Sequence, residues 1–160
     1  RYWRDWSSDV CSSDLAARRL GATVAVAGRD PGRTLELARA MEAQAVAWEA
    51  VAETPYDVLV HCTPVGSEAT AGEGEPELVI PTESIRPGSL VVDAVYRPLR
   101  TPLLAAAQQR NCLCVPGAEW FVRQAAAQFR LFTGQEADDS LLRASFEGAL
   151  NQGAGGATRA

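Results

Sequence analysis

Three groups of polar side chains stand in this chain where chemistry would need them. The first is Gly28-Arg29-Asp30-Pro31-Gly32-Arg33, directly after the apolar run Thr23 to Ala27. At the end of the second strand of a parallel α/β unit a dinucleotide's adenosine ribose is read: a carboxylate suits a free 2′-hydroxyl, and arginines suit a 2′-phosphate. Arg29 and Arg33 can converge on such a phosphate; the alternative is a pair of solvated surface arginines. Asp30 reads equally as the cap of the helix that Pro31 opens.

The second group is His61-Cys62-Thr63-Pro64-Val65-Gly66, which closes the apolar run Asp57 to His61. Ligands of an open parallel sheet bind beyond the C-terminal strand ends, so this turn lies on the functional edge. His61 is the sole histidine, and all fifteen basic residues are arginine. The chain therefore has no lysine for acid/base work. A Ser-His-Asp or multi-histidine metal site would have to be built around one imidazole, so no metal is expected and His61 reads as a packed, neutral side chain.

The third group pairs Tyr96, in the turn after Leu90 to Asp93, with Gln124 on a helix spanning Gly117 to Gly134. At 3.6 residues per turn Phe121, Ala125, Phe129 and Phe132 share one face, opposite Arg123 and Arg130, so that helix is expected to pack on a core. Gln124 and Gln128 fall within or beside the apolar face, where an amide needs partners in protein or ligand. Taken alone, Tyr96 is a half-buried loop tyrosine with its hydroxyl in water.

The elements that must position these groups alternate. Ala16 to Gly21 ends a helix, Thr23 to Ala27 is a buried strand, and a helix runs from about Thr34 to Ala43. Ala45 to Ala47 and Glu49 to Glu53 make a short strand and a short helix. Strands follow at Asp57 to His61, Leu90 to Asp93 and Asn111 to Val115, with a helix opened by Thr101-Pro102. Ser67 to Pro76 reads as a mobile surface loop. Asp138 to Leu150 closes the domain with Leu141, Leu142, Ser145, Phe146 and Ala149 inward. This is a doubly wound parallel α/β sheet of the Rossmann kind. The strand and Gly-rich turn that should precede Ala16 are missing from the pattern, and with them the N–H cradle for a pyrophosphate.

Composition narrows the function. The chain has 160 residues, is 47% hydrophobic and carries a net charge of -5 without a basic run, which suits one domain and argues against nucleic acid or an anionic membrane as partner. Without a membrane-spanning apolar run or a signal pattern it reads as cytoplasmic. Cys11, Cys62, Cys112 and Cys114 form no Cys-x-x-Cys pair and read as reduced thiols. Arg1 to Leu15, with Ser7-Ser8-Asp9-Val10 echoed by Ser12-Ser13-Asp14-Leu15, resembles translated sequencing-adapter read-through; residues 1–15 are expected to be an artefactual leader, 16–150 the domain, and 151–160 a disordered Gly/Ala-rich tail.

Two long motifs carry a family resemblance. Gly117 followed by Phe121-Val122-Arg123-Gln124-Ala125 and a helix ending in Thr133-Gly134 resembles the C-terminal signature of shikimate dehydrogenases. Asp93-Ala94-Val95-Tyr96-Arg97-Pro98-Leu99-Arg100-Thr101-Pro102-Leu103-Leu104 is similar to that family's Asp-x-x-Tyr-x-Pro-x-x-Thr-Pro-Leu-Leu. Weaker matches lie at Arg29 with Arg33 and at the Thr63-Pro64-x-Gly66 turn. Trp120, His61 and Ser67 stand where the family usually has Met, Asn and Met, and Gly28 and Asp30 replace an Asn and a Thr.

The resemblance implies the NADP-binding half of such an enzyme, interconverting 3-dehydroshikimate and shikimate. Gly28, Arg29, Asp30, Arg33, Thr63, Ala94 and Gly117 would then face the cofactor, and Tyr96 and Gln124 the substrate. The family's proton-transfer Lys and its Asp partner lie in an N-terminal substrate domain. With neither here, the chain is expected to be an inactive fragment with no catalytic residue of its own. A non-catalytic nucleotide- or partner-binding module, quinate as substrate, and a parent fused to a 3-dehydroquinate dehydratase remain alternatives.

Overall fold

The computed structural model describes residues 17, 19–71 and 77–155. The expected leader and the last residues of the expected tail lie outside them. Strands and helices alternate as the pattern requires. Strand β1 (Ala25–Ala27) leads to helix α1 (Pro31–Ala40), β2 (Gln44–Val46), a 3-10 turn (Trp48–Ala50) and β3 (Val58–His61). The one-turn helix α2 (Glu68–Ala71), a 3-10 turn (Thr82–Ser84), β4 (Leu90–Asp93), α3 (Pro102–Gln109), β5 (Leu113–Val115), α4 (Gly117–Thr133) and α5 (Asp139–Gly155) complete the order.

Every strand pair is parallel, in two separate ladders. β1 pairs with β2, and β3-β4-β5 form a three-stranded sheet in chain order. Among the described residues no ladder joins β1 to β3. Both strands are accordingly more exposed than the sequence predicts: Ala25 and Ala27 are exposed, and Val58 is 49% exposed although its run reads as fully buried. Their apolar residues are suited to a strand with neighbours on both sides, and here each pairs on one side only.

The core lies where α3 covers the larger sheet. Ile80, Ile85, Val91, Leu103, Leu104, Ala106 and Ala107 are buried together, with Trp48, Leu59 and Cys114 packed against them. Thr101 starts α3 in the expected manner: its Oγ1 accepts the Leu104 N–H and Pro102 takes the first turn. Asp30 does the same for α1 by accepting the Arg33 N–H at 3.1 Å, so α1 begins at Pro31 rather than Thr34. Its end is earlier too, with Glu42 at φ +50° just beyond it.

Three other expectations change. Part of the expected loop after Ser67 is the helix α2, held by the Glu68 N–H to the Arg97 carbonyl. Helix α5 runs through Gly155, past the expected boundary at Leu150. Along α4 only Gly117 and Val122 are buried; Phe129 and Phe132 are exposed, the latter 81%. The helix rests on the turn after β4 at its start and on α5 along its length, and no described residue covers its far apolar face. On α5, Phe146 is buried as expected, whereas Leu141, Ser145 and Ala149 are exposed.

Candidate functional site

Register assembles the centre of the site. On parallel β3 and β4, His61 lies opposite Asp93, so both final strand residues project on the same side. His61 Nδ1 is 2.9 Å from Asp93 Oδ1, and His61 Nε2 is 2.6 Å from Thr63 Oγ1. Asp93, 1% exposed, also receives the Thr101 hydroxyl on Oδ2 at 2.5 Å and the Val95 N–H on Oδ1 at 3.0 Å. Burying a carboxylate is costly unless hydrogen-bond donors surround it, and three do. The chain of bonds runs from the N-terminus of α3, through both strand ends, to the hydroxyl of Thr63, an exposed residue.

Glycine shapes the next contact. A Cβ on Gly117 would sit 2.3 Å from the Val95 carbonyl oxygen and 2.7 Å from that of Ala94. The residue is therefore required for the start of α4 to lie against the turn after β4. Ala94 in turn donates its N–H to the His61 carbonyl at 2.9 Å. Thr63, Ala94 and Gly117 thus belong to one connected edge at the C-terminal ends of β3 and β4. Gly66, at φ +82°, closes the Thr63 turn in a conformation other side chains resist.

Tyr96 joins the same edge through its ring. Its centroid is 5.7 Å from those of Phe121 and Phe146, which are 4.9 Å from each other. The phenol is 41% exposed, so the cluster fixes the ring and leaves it accessible. Arg97 ties this turn to α5 by donating to the Leu150 carbonyl at 2.9 Å. Gln124 is exposed on α4, not held beside a buried apolar face as its helical position suggested. The reason is the one that exposes Phe129: that side of α4 has no covering element among the described residues.

The first sequence group gathers on the other ladder. Gly28, Arg29, Asp30 and Arg33 follow β1, with both arginines and Asp30 exposed. A Cβ on Gly28 would approach Thr34 Oγ1 to 2.8 Å, and that hydroxyl donates to the Asp30 carbonyl. Asp30 is thus a cap that shapes the loop. A shallow cavity of about 340 Å³, lined by Gly21, Ala22, Thr23, Val24, Glu42 and Gln44, lies at the opposite, N-terminal ends of β1 and β2 and contains none of these residues.

Sequence reasoning missed the partners that organise the edge. Asp93 and Thr101 were legible only as parts of a motif, and His61 only as a packed ring. The available signal was positional: His61 and Asp93 each end an apolar run and precede a turn. Cys112 and Cys114 are not disulfide-bonded, and burial and neighbouring Cys112 push the Cys114 thiol up. Among the described residues no group of three or more His, Cys, Asp or Glu side chains could hold a metal.

Parallel strands that each deliver a polar or glycine turn at their C-terminal ends define an α/β protein whose working edge is formed by those turns. Comparison with known proteins gives the family. Residues 117–145 match the shikimate 5′-dehydrogenase C-terminal domain. The shikimate dehydrogenase (NADP(+)) of Pyrococcus furiosus is 36% identical over 116 residues, covering 69% of this chain and 41% of the relative. That of Paracoccus denitrificans is 45% identical over 84 residues, 51% of this chain and 30% of the relative. Among solved structures, Thermus thermophilus shikimate 5-dehydrogenase in complex with NADP(H) and shikimate superposes with a TM-score of 0.73 at 33% identity, over 84% of this chain and 49% of that one. Quinate dehydrogenase from Corynebacterium glutamicum in complex with NAD gives 0.74 at 28% identity, over 84% and 50%. The chain belongs to the shikimate dehydrogenase family and corresponds to its C-terminal portion, spanning less than half the length of the curated relatives it matches.

Proposed function

We propose that this chain is the NADP-binding half of a shikimate dehydrogenase, acting in the cytoplasm in aromatic amino acid biosynthesis. The observation that carries the reading is the joined edge at Thr63, Ala94, Tyr96 and Gly117, together with likeness to a relative solved with NADP(H) and shikimate. Arg29 and Arg33 would bind the 2′-phosphate, with Gly28 and Asp30 shaping their loop. Thr63, Ala94 and Gly117 would line the nicotinamide side, and Tyr96 and Gln124 would reach the substrate.

NADP supplies the hydride chemistry when bound; the residues present bind, orient and exclude water around it. The two ladders, β1-β2 and β3-β4-β5, are the pieces left when the central strand is removed from the strand order of a doubly wound dinucleotide-binding sheet. That position would be filled by the strand whose Gly-rich turn cradles the pyrophosphate. The described residues contain no such turn, and the whole sequence contains no lysine. Shikimate oxidation by residues 1–160 is therefore expected to be undetectable and NADP binding weak, because losing acid/base help costs roughly 10² to 10⁴ in rate and losing substrate positioning adds to it.

The test is to join residues 16–160 to the upstream region of a relative, including its Gly-rich turn and Lys-bearing domain. NADPH formation from shikimate by the joined protein, and none by the chain alone, is the expected result. A joined protein that folds and binds neither NADP nor shikimate would overturn the assignment. Likeness to a quinate dehydrogenase solved with NAD supports a second reading, in which quinate is oxidised with NAD. Assaying the joined protein with both substrates and both cofactors separates the two. A non-catalytic nucleotide-binding module would bind nucleotide and oxidise neither substrate.

A further inference from the structure

The bonds that end at Thr63 have a direction, which can be read donor by donor. Thr101 Oγ1 accepts the Leu104 N–H, so its single hydroxyl hydrogen is free to go to Asp93 Oδ2. Asp93 then has three donors aimed at it, from Thr101, Val95 and His61, and acts as an acceptor only. His61 Nδ1 must therefore carry a hydrogen. In the neutral imidazole this leaves Nε2 with a lone pair, and the Thr63 hydroxyl, 2.6 Å away, must give its hydrogen to it. Thr63 Oγ1 has no hydrogen left for anything else. The Val65 N–H approaches it at 3.4 Å, a long contact that leaves acceptor capacity facing solvent.

We propose that Asp93 and His61 fix Thr63 as an outward-facing hydrogen-bond acceptor, so that this strand edge selects a ligand group that donates, a carboxamide N–H or a sugar hydroxyl, over a carbonyl or phosphate oxygen. His61 is a positioning residue in this scheme: it touches no ligand and acts through Thr63. An asparagine in its place, the residue usual in the family, presents both a donor and an acceptor and can turn either way. The imidazole with its Nδ1 committed to Asp93 cannot. The ligand half of the inference rests on the nucleotide reading of this edge; the direction of the bonds does not.

His61 is the sole histidine in the sequence, so one imidazole appears in a nitrogen-15 spectrum of the 160-residue chain. The expected spectrum is that of a ring with its hydrogen on Nδ1 and a bare Nε2, with the Nε2 shift moving in Thr63→Val and kept in Thr63→Ser. An Nε2-protonated tautomer, or an imidazolium, overturns the proposal. The ligand half is read in the chain joined to its upstream region, by chemical-shift titration with NADP, with its 3-acetylpyridine analogue, which lacks the carboxamide N–H, and with 2′-phospho-ADP-ribose, which keeps the sugar hydroxyls but has no nicotinamide.

If the donor is the carboxamide, the acetylpyridine analogue binds about two- to tenfold more weakly than NADP, the worth of one neutral hydrogen bond. Thr63→Val abolishes that difference and Thr63→Ser retains it. If the donor is a sugar hydroxyl, Thr63→Val weakens all three ligands alike. Binding with no dependence on Thr63 overturns this inference alone. Absence of any binding by the joined protein, once its spectrum shows it folded, overturns the ligand half together with the proposed function.

Discussion

The position of a Cβ on Gly117 lies 2.3 Å from the Val95 carbonyl oxygen, a separation no side chain can occupy. The obstacle is backbone on a turn already held by Asp93, so the neighbour cannot swing aside. Gly117→Ala is expected to push the start of α4 off the β4 turn at a cost of about 1–3 kcal/mol, the range of overpacked sites. The measurement is a denaturant midpoint, with Gly148→Ala, a helical glycine where nothing lies within 4 Å of the added Cβ, as the control without a close approach. Equal shifts in the two variants would mean that the close approach does not limit the fold.

Thr101 has two duties that a single substitution separates. Its oxygen caps α3 and its hydrogen goes to a buried carboxylate. Thr101→Val keeps the shape and removes both, so a loss of about 2.5–4 kcal/mol is expected, combining a cap of about 1 with a charge-assisted bond of about 1.5–3. Thr101→Ser keeps both groups and should lose about 1 kcal/mol or less, from the missing methyl. A valine variant no weaker than the serine variant would show that the hydroxyl contributes nothing net.

How much of this was visible in the sequence depends on how far each signal reaches. Pro31 after Asp30 and Pro102 after Thr101 are local signals, and both caps form as written. Strand positions followed from short apolar runs and hold to within a few residues. The misreadings share one cause. Phe129, Phe132 and Gln124 were placed by periodicity and Val58 by a continuous apolar run, and neither signal says whether anything lies against the apolar side. The His61 network was hidden for the opposite reason: His61 and Asp93 are 32 residues apart and meet only through strand register.

Arg29 and Arg33 give a prediction about cofactor choice. Both are exposed, and Arg33 has a further interaction within the protein, so an arginine bond to a 2′-phosphate is placed at the weak end of the charge-assisted range, ~1.5 kcal/mol or about tenfold. In the chain joined to its upstream region, Arg29→Ala and Arg33→Ala are each expected to cut the NADP:NAD preference by about that factor, measured as a ratio of kcat/KM values. The effect should shrink with added salt. An unchanged ratio in both variants would make these arginines ordinary solvated surface.

Glu119 links α4 to α5 and supplies a pH dependence. Its Oε2 receives Arg143 at 2.5 Å and its Oε1 receives Arg123 at 2.8 Å. The hydrogen bond from Arg143, then that from Arg123, holds its carboxyl below the ordinary glutamate value. A carboxylate whose folded value is depressed adds stability that is present above its unfolded value and is lost as pH falls through the folded one. Glu119→Gln is therefore expected to be less stable than the parent chain at neutral pH. The gap should close as the pH is taken down through the acid range below the ordinary glutamate value, and should also narrow in high salt. Arg143→Gln should reproduce this more fully than Arg123→Gln, because the short bond from Arg143 to Glu119 joins the two helices, whereas Arg123 lies one turn from Glu119 on the same helix and reaches α5 only through Asp139 at 4.0 Å. Paired thermal melts across pH decide it: a gap of constant size from neutral to acid would mean that Glu119 acts through packing and not through its charge.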